Sequence, residues 1–137
     1  MKVYLAARYS RRKELVAYRE QIEALGHIVT SRWLNGNHQI SDAGLSEQAQ
    51  ESDRIRFAEE DWQDLMSADC CVSFTEEPRG TNSRGGRHVE FGAALAAGKT
   101  CAVVGYRENV FHCLSWVFFY ETWEDYIAEL PEISVAP

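Results

Sequence analysis

Apolar residues along the chain fall into two rhythms. Short runs bounded by turn formers recur at Lys2 to Ala7, His27 to Ser31, Cys70 to Phe74, Cys101 to Val104 and Trp116 to Tyr120, and each reads as a strand. Between them the spacing turns helical. After Ser10, a candidate N-cap, Leu15, Tyr18, Ile22 and Leu25 recur at intervals of three and four, and Gly26 closes the segment. From Ser46 to Met66 the composition predicts a second helix with Ile55, Ala58, Trp62 and Leu65 as its apolar stripe. The stretch from Arg84 to Lys99 predicts a third, led in by Gly85 and Gly86, lined with Ala93, Ala94, Ala96 and Ala97, and ended by Gly98. A short helical turn over Asn109 to Leu114 and a last helix starting at Thr122, limited by Pro131, complete the chain.

The order is strand, helix, strand, repeated, which predicts parallel pairing through right-handed crossovers. The expectation is one α/β domain over residues 1–137, a flavodoxin-like or Rossmann-like three-layer sandwich with a mainly parallel five-stranded sheet. The segment from Trp33 to Glu47 breaks the rhythm with Asn35-Gly36-Asn37, Ser41-Asp42 and Gly44. A connection of that length reads either as a lid or as a surface excursion.

Composition narrows the partners. Of 137 residues, 45% are hydrophobic, enough for one real core, and the net charge of −7 argues against a general nucleic-acid binder. The first residues lack the apolar length of a signal peptide and no run approaches membrane-spanning length, so a cytoplasmic protein without membrane contact is expected. Cys70, Cys71, Cys101 and Cys113 show no Cys-x-x-Cys pairing and read as buried thiols; His27, His38, His88 and His112 lack ligand spacing, so no metal is expected. Gly98-Lys99-Thr100 is not a phosphate-binding P-loop, because the earlier glycine it needs is Ala93 and a strand follows it.

Two acids stand out. Glu90 falls in the first turn of the third helix by this reading, on the stripe that carries Ala94 and Ala97. It either complements the positive helix end or serves as a nucleophile or base at the crevice where strand ends meet helix starts. Asp61 lies beside the stripe of the second helix, among Glu59, Glu60 and Asp64, where a solvated acid is the plain alternative to a functional one. Cations also gather at two helix starts: Arg8, Arg11 and Arg12 around Ser10, and Arg84 and Arg87 around Gly86. Each opposes the helix dipole by roughly 0.3–1 kcal/mol when exposed. A bound phosphate, held by backbone N–H groups and guanidinium forks, accounts for the placement; pairing with Glu14, Glu76 and Glu77 is the alternative.

Taken together, Val3-Tyr4-Leu5-Ala6, Asp61 with Ser67-Ala68-Asp69, Val89-Glu90-Phe91-Gly92-Ala93-Ala94 with Gly98-Lys99, and Asn109-Val110-Phe111 resemble the nucleoside 2-deoxyribosyltransferase family, which includes the 2'-deoxynucleoside 5'-monophosphate N-glycosidases. The resemblance covers most of the chain in the family's order. It implies an enzyme without a cofactor that cleaves the N-glycosidic bond of a nucleoside or its 5'-monophosphate and passes the sugar to another base or to water. It implies Glu90 as the nucleophile, Tyr4 as the residue that holds it and Asp61 as the acid that meets the base. Arg8, Ser10, Arg11, Arg84, Gly86, Arg87 and His88 are then candidate substrate contacts, with Trp33 and His38 as further candidates for the base. Asn109 and Phe111 match positions that reach a neighbouring subunit's site, which implies a homodimer or larger assembly. Arg84 departs from the family: the transferases carry an aspartate there and the nucleotide hydrolases a small hydroxyl residue. Two rivals share the fold, a nucleotide-sensing module without turnover and an oligomeric scaffold without a small ligand.

Overall fold

Five parallel strands form one sheet in the order β2-β1-β3-β4-β5. The structure, a computed structural model, describes residues 1–36, 47–80 and 85–131, with backbone alone for 47–50. The strands are β1 (Lys2–Ala6), β2 (Ile28–Val29), β3 (Cys70–Phe74), β4 (Thr100–Val104) and β5 (Phe118–Tyr120); the helices are α1 (Arg12–Ala24), α2 (Glu47–Ser67), α3 (Gly86–Ala96) and α4 (Trp123–Glu129). Every residue of β3 is buried, as a central parallel strand covered on both faces requires. Its neighbours β1 and β4 are buried after their first residue.

On one face α2 packs against α3; on the other, Tyr18 of α1 stacks on Trp123 of α4 at 4.2 Å. The three layers, the parallel sheet and the position of each strand agree with the sequence reading. The glycine closures agree too: Gly26 and Gly98 take left-handed φ of 92° and 73°, just past α1 and α3. Thr122 caps α4 by accepting from Asp125 N at 3.2 Å.

Several local expectations are corrected. The second strand stops at Val29, because Thr30 and Ser31 turn their side chains to β1 and α2: Ser31 Oγ accepts from Leu5 N at 2.8 Å, and Thr30 Oγ1 donates to the Asp64 carbonyl at 2.8 Å. Ser10 caps nothing, since it lies inside a 3₁₀ turn, Tyr9–Arg11, and α1 starts at Arg12. Trp33 and Leu34 belong to a buried 3₁₀ turn, Arg32–Asn35, and not to an open loop; the possible lid beyond it lies largely outside the described residues, as does His38. Cys113 is exposed, while the other three thiols are buried as expected.

The largest correction concerns α2. Ile55 and Trp62 are 53% and 52% exposed, and Ala58 is exposed with them. The inward face carries Phe57, Asp64 and Leu65, with Asp61 half-buried beside them. Of the expected stripe, Leu65 alone points inward. The helix therefore turns acids toward the interior, a local conflict of the kind that marks functional sites.

Lys99, whose place after Gly98 imitates a P-loop, has a structural job. Its Nζ donates to the carbonyls of Met66 at 2.9 Å and Ala68 at 2.6 Å, closing the end of α2 onto the turn after α3.

Candidate active site

The site is built where the C-terminal end of β1 meets the start of α3. Tyr4, fully buried on β1, has a hydroxyl without a hydrogen-bond partner among the described residues. Gly85, at φ 82°, turns the chain into α3, and among the described residues no side chain caps the helix. A residue with Cβ is strained at that φ, and the start of the helix lines the crevice through Gly85, Gly86 and Arg87. Because α3 starts at Gly86, Glu90 falls one residue beyond the first turn expected for it. Simple dipole complementation is weaker there.

Glu90 is half-buried as a residue, but its Oε2 is sealed from solvent and has no hydrogen-bond partner among the described residues. Burial pushes its pKa up to about 8; the Tyr4 hydroxyl opposes the rise and the Asp61 charge adds to it. Tyr4 is close enough to act on Glu90 electrostatically, yet the two close no hydrogen bond of good geometry. Tyr4 in turn is held well above its ordinary pKa, chiefly by burial and then by Glu90 and Asp61. Asp61 is raised to about 7 by burial, then by Asp64 and Glu60, against the pull of Arg32. Three groups expected to act together thus feel one another's charge.

Glu90 borders two hollows. One, of ≈ 170 Å³, is lined by Ala7, Tyr9, Trp33, Asp61 and Glu90. The other, of ≈ 370 Å³, is lined by Ala7, Arg8, Tyr9, Ser10, Gly85, Gly86, Arg87 and Glu90. The first offers two aromatic rings and an acid. The second offers the open start of α3, a hydroxyl and two arginines.

The arginines differ sharply. Arg87 is buried; its Nη2 donates to Glu108 Oε2 at 2.7 Å, its Nη1 lies 3.0 Å from His88 Nε2, and its Nε has no partner among the described residues. Arg8 stands 3.6 Å from Glu76. Arg11 is turned away from the crevice: it donates to Glu14 at 2.9 and 2.7 Å and to Glu76 at 3.0 Å, as the pairing alternative has it. Arg12 points elsewhere, donating to the Leu34 carbonyl at 2.9 Å. The sequence groups four of these cations; the structure brings Arg8 and Arg87 alone to the hollow. Arg84 lies outside the described residues.

His88 faces Glu108 at 3.1 Å and Asn109 Nδ2 at 3.5 Å, on the outer side of α3. Asn109 caps the 3₁₀ turn Val110–Cys113, its Oδ1 accepting from Phe111 N at 3.0 Å. Asn109 and Phe111 line a separate apolar cleft of ≈ 740 Å³ with His88, Val89, Gly92 and Trp116, away from Glu90 of the same chain. Among the described residues no group of three or more His, Cys, Asp or Glu is placed to hold a metal ion.

Sequence reasoning missed Tyr9, Glu108 and the Arg32–Asp64 pair, whereas Glu76 is one of the acids that the pairing alternative names. Tyr9 sat in view between Arg8 and Ser10. The others are acids and cations whose partners lie distant in sequence, and no periodicity announces such pairs.

No protein-family model matches the chain, and no curated protein matches it by sequence. Solved structures do. A 2-deoxyribosyltransferase from the psychrotolerant bacterium Bacillus psychrosaccharolyticus superposes with a TM-score of 0.70 at 22% identity, covering 99% of this chain and 100% of the other. The fold is that of this 2-deoxyribosyltransferase. The same fold joins the chain to the CMP N-glycosidase of Clostridium botulinum, with a TM-score of 0.59 at 20% identity over 94% of this chain and 97% of that one. A conserved protein from Enterococcus faecalis V583 matches with a TM-score of 0.59 at 15% identity over 94% and 96%. The likeness spans essentially the whole deoxyribosyltransferase fold, as the residues quoted from Val3 to Phe111 lead one to expect.

Proposed function

We propose that the protein is an enzyme that cleaves the N-glycosidic bond of a nucleoside or its 5'-monophosphate, with Glu90 as nucleophile, and passes the sugar to water or to a second base. The observation that carries this reading is the placement of Glu90: a carboxylate with a sealed oxygen, unpartnered among the described residues, between a hollow suited to a base and a hollow suited to a phosphate. In the first step Glu90 bonds to the anomeric carbon as the bond to the base breaks, and Asp61 gives its proton to the leaving nitrogen. In the second, Asp61 takes a proton back from water or from the incoming base, whose oxygen or nitrogen bonds to the anomeric carbon as the bond to Glu90 breaks, and Glu90 leaves as carboxylate. Tyr4, close enough to Glu90 to oppose the rise of its pKa, is the residue assigned to hold its carboxylate once substrate is bound. No cofactor enters the scheme.

The hollow at the start of α3 favours the 5'-monophosphate. The start of α3, Ser10, Arg8 and the Nε of Arg87, without a partner among the described residues, suit a dianion, and Arg84 follows Ser83 just before the helix in sequence. The aromatic rings of Tyr9 and Trp33 suit the face of a base beside Asp61.

The 2-deoxyribosyltransferase and the CMP N-glycosidase that share the fold support the reaction class by their own activities. Asn109 and Phe111, turned to a cleft apart from Glu90, support a second copy whose site they complete.

The test is release of free base from ribo- and deoxynucleosides and their 5'-monophosphates, with and without an acceptor base. Release by the wild type, absent in Glu90→Ala, is expected, faster for the monophosphates. A folded protein that binds one of these substrates and releases no base would be a sensor instead.

A further inference from the structure

Resting on the reading of Asp61 as the proton donor to the base, a neighbouring ion pair acquires a role. Asp64 Oδ2 accepts from the Arg32 backbone N–H at 2.9 Å, and its Oδ1 accepts from Arg32 Nε at 2.9 Å. Arg32 Nη2 continues along the same helix to the Glu60 carbonyl at 3.4 Å and Gln63 Oε1 at 3.2 Å. The guanidinium is thus laid along α2, and the 3₁₀ turn that follows it is fixed at its start. That turn places Trp33, whose Nε1 donates to the Leu5 carbonyl at 2.8 Å, in the hollow that Asp61 and Glu90 share. Asp64 is 7% exposed and sits three residues from Asp61 on α2, so both acids turn toward the interior from one stretch of helix.

We propose that Asp64 is a positioning residue for Asp61: by clamping Arg32 through both backbone and guanidinium, it seats Trp33 in the hollow and keeps the cation committed to itself, so that Asp61 is presented to the base as a proton donor.

Among the described residues, the charged and titratable groups electrostatically coupled to Asp61 are Glu60 and Asp64 on α2, Arg32 on the 3₁₀ turn, Glu90 on α3 and Tyr4 on β1. Glu60 and Asp64 disfavour its ionisation and Arg32 favours it. The two members of the clamp therefore act on Asp61 with opposite signs.

Carbon-13 NMR titration of the Asp61 carboxyl, assigned by its loss in Asp61→Asn, tests this in the wild type, Asp64→Asn and Arg32→Gln. Asp64→Asn should lower the Asp61 midpoint by about one pH unit, because a like charge leaves and the cation is released; Arg32→Gln should raise it by about as much. The alkaline limb of kcat/KM should move the same way in each variant. Midpoints that stay put, or that shift together, would overturn the proposal. Arg32 is half-exposed, so if Asp64→Asn fails to fold the Arg32→Gln titration alone decides: a rise supports the clamp, and no rise sinks it. Because the titration needs no turnover, opposite shifts in a protein that releases no base would leave the clamp standing and remove the glycosidase reading instead.

Discussion

Glu90 and Asp61 line one hollow from two different helices, and both carboxyls are held far above the ordinary carboxylate range, Glu90 at about 8 and Asp61 at about 7, with burial the leading cause in each. Two acids so placed are suited to divide a reaction, one attacking and one protonating. The pair titrates as a unit, so its apparent values belong to the dyad.

A bell-shaped pH profile follows. In the proposed reaction the productive form has Glu90 ionised and Asp61 protonated, the reverse of the order in which burial sets the two groups, so it is a minor form of the dyad at every pH; acid depletes it by protonating Glu90 and base by deprotonating Asp61. The profile of kcat/KM for base release should rise and fall with apparent pKa values near 7 and 8, with its maximum between them. Glu90→Gln should abolish the profile by lowering the rate about 10³-fold or more, and Asp61→Asn should lower it roughly 10²–10⁴-fold and remove the alkaline limb. A rate that climbs steadily to pH 10 in the wild type would contradict the assignment of Asp61.

Burying Glu90 costs stability, and the cost depends on pH with a definite sign. Its folded pKa is raised, so between about pH 4.5 and 8 the native state binds more protons than the unfolded chain, and this contribution to stability falls as pH rises through that window. Glu90→Gln removes the dependence. Thermal melts should show the variant more stable than the wild type at pH 8.5, on the order of 1–3 kcal/mol, with the gap closing toward pH 5. An equal gap at both pH values would mean that the carboxylate is not strained by burial.

How far the sequence reveals this arrangement depends on what kind of force sets each feature. The run Cys70 to Phe74 is read to the residue because a central strand buries every side chain and the run ends where burial ends. The glycine stops of α1 and α3 are legible because left-handed φ leaves a chemical trace. The face of α2 is misread, since Ile55 and Trp62 supply a helical period that the fold turns outward while Asp61 and Asp64 go inward. The resemblance identifies Asp61 where periodicity does not. Likewise, five cations at two helix starts look alike in sequence, but Glu14 and Glu76 take Arg11, the Leu34 carbonyl takes Arg12, and Glu108 orients Arg87. Glu14 and Glu76 are partners that the pairing alternative names, but the Leu34 carbonyl and Glu108 lie more than twenty residues from the cations they hold and carry no local signal.

Lys99 closes the shared end of α2 and α3, and its ammonium is bound to two backbone carbonyls. Charge-assisted hydrogen bonds of this kind contribute about 1.5–3 kcal/mol. Lys99→Ala should lower the urea midpoint accordingly, and Lys99→Met, which keeps much of the stem, should recover little. An undiminished midpoint in Lys99→Ala would show that water replaces the ammonium without loss.

The outer face of α3 bears on assembly. Val89, Phe111 and Trp116 are 68%, 62% and 65% exposed around one apolar cleft, and Asn109 stands at its edge. Apolar side chains gathered in this way mark a surface that is covered in use, and the proposed second copy would bring its own Asn109 to the arrangement. Sedimentation equilibrium should therefore give at least a dimer at micromolar concentration, and Val89→Glu, which places a charge in the cleft without touching Glu90 or Asp61, should give monomer. If Asn109 completes a neighbour's site, the monomeric variant should lose base release while its melting curve stays cooperative. A fully active monomer would remove Asn109 and Phe111 from the reaction and leave the cleft to a different partner.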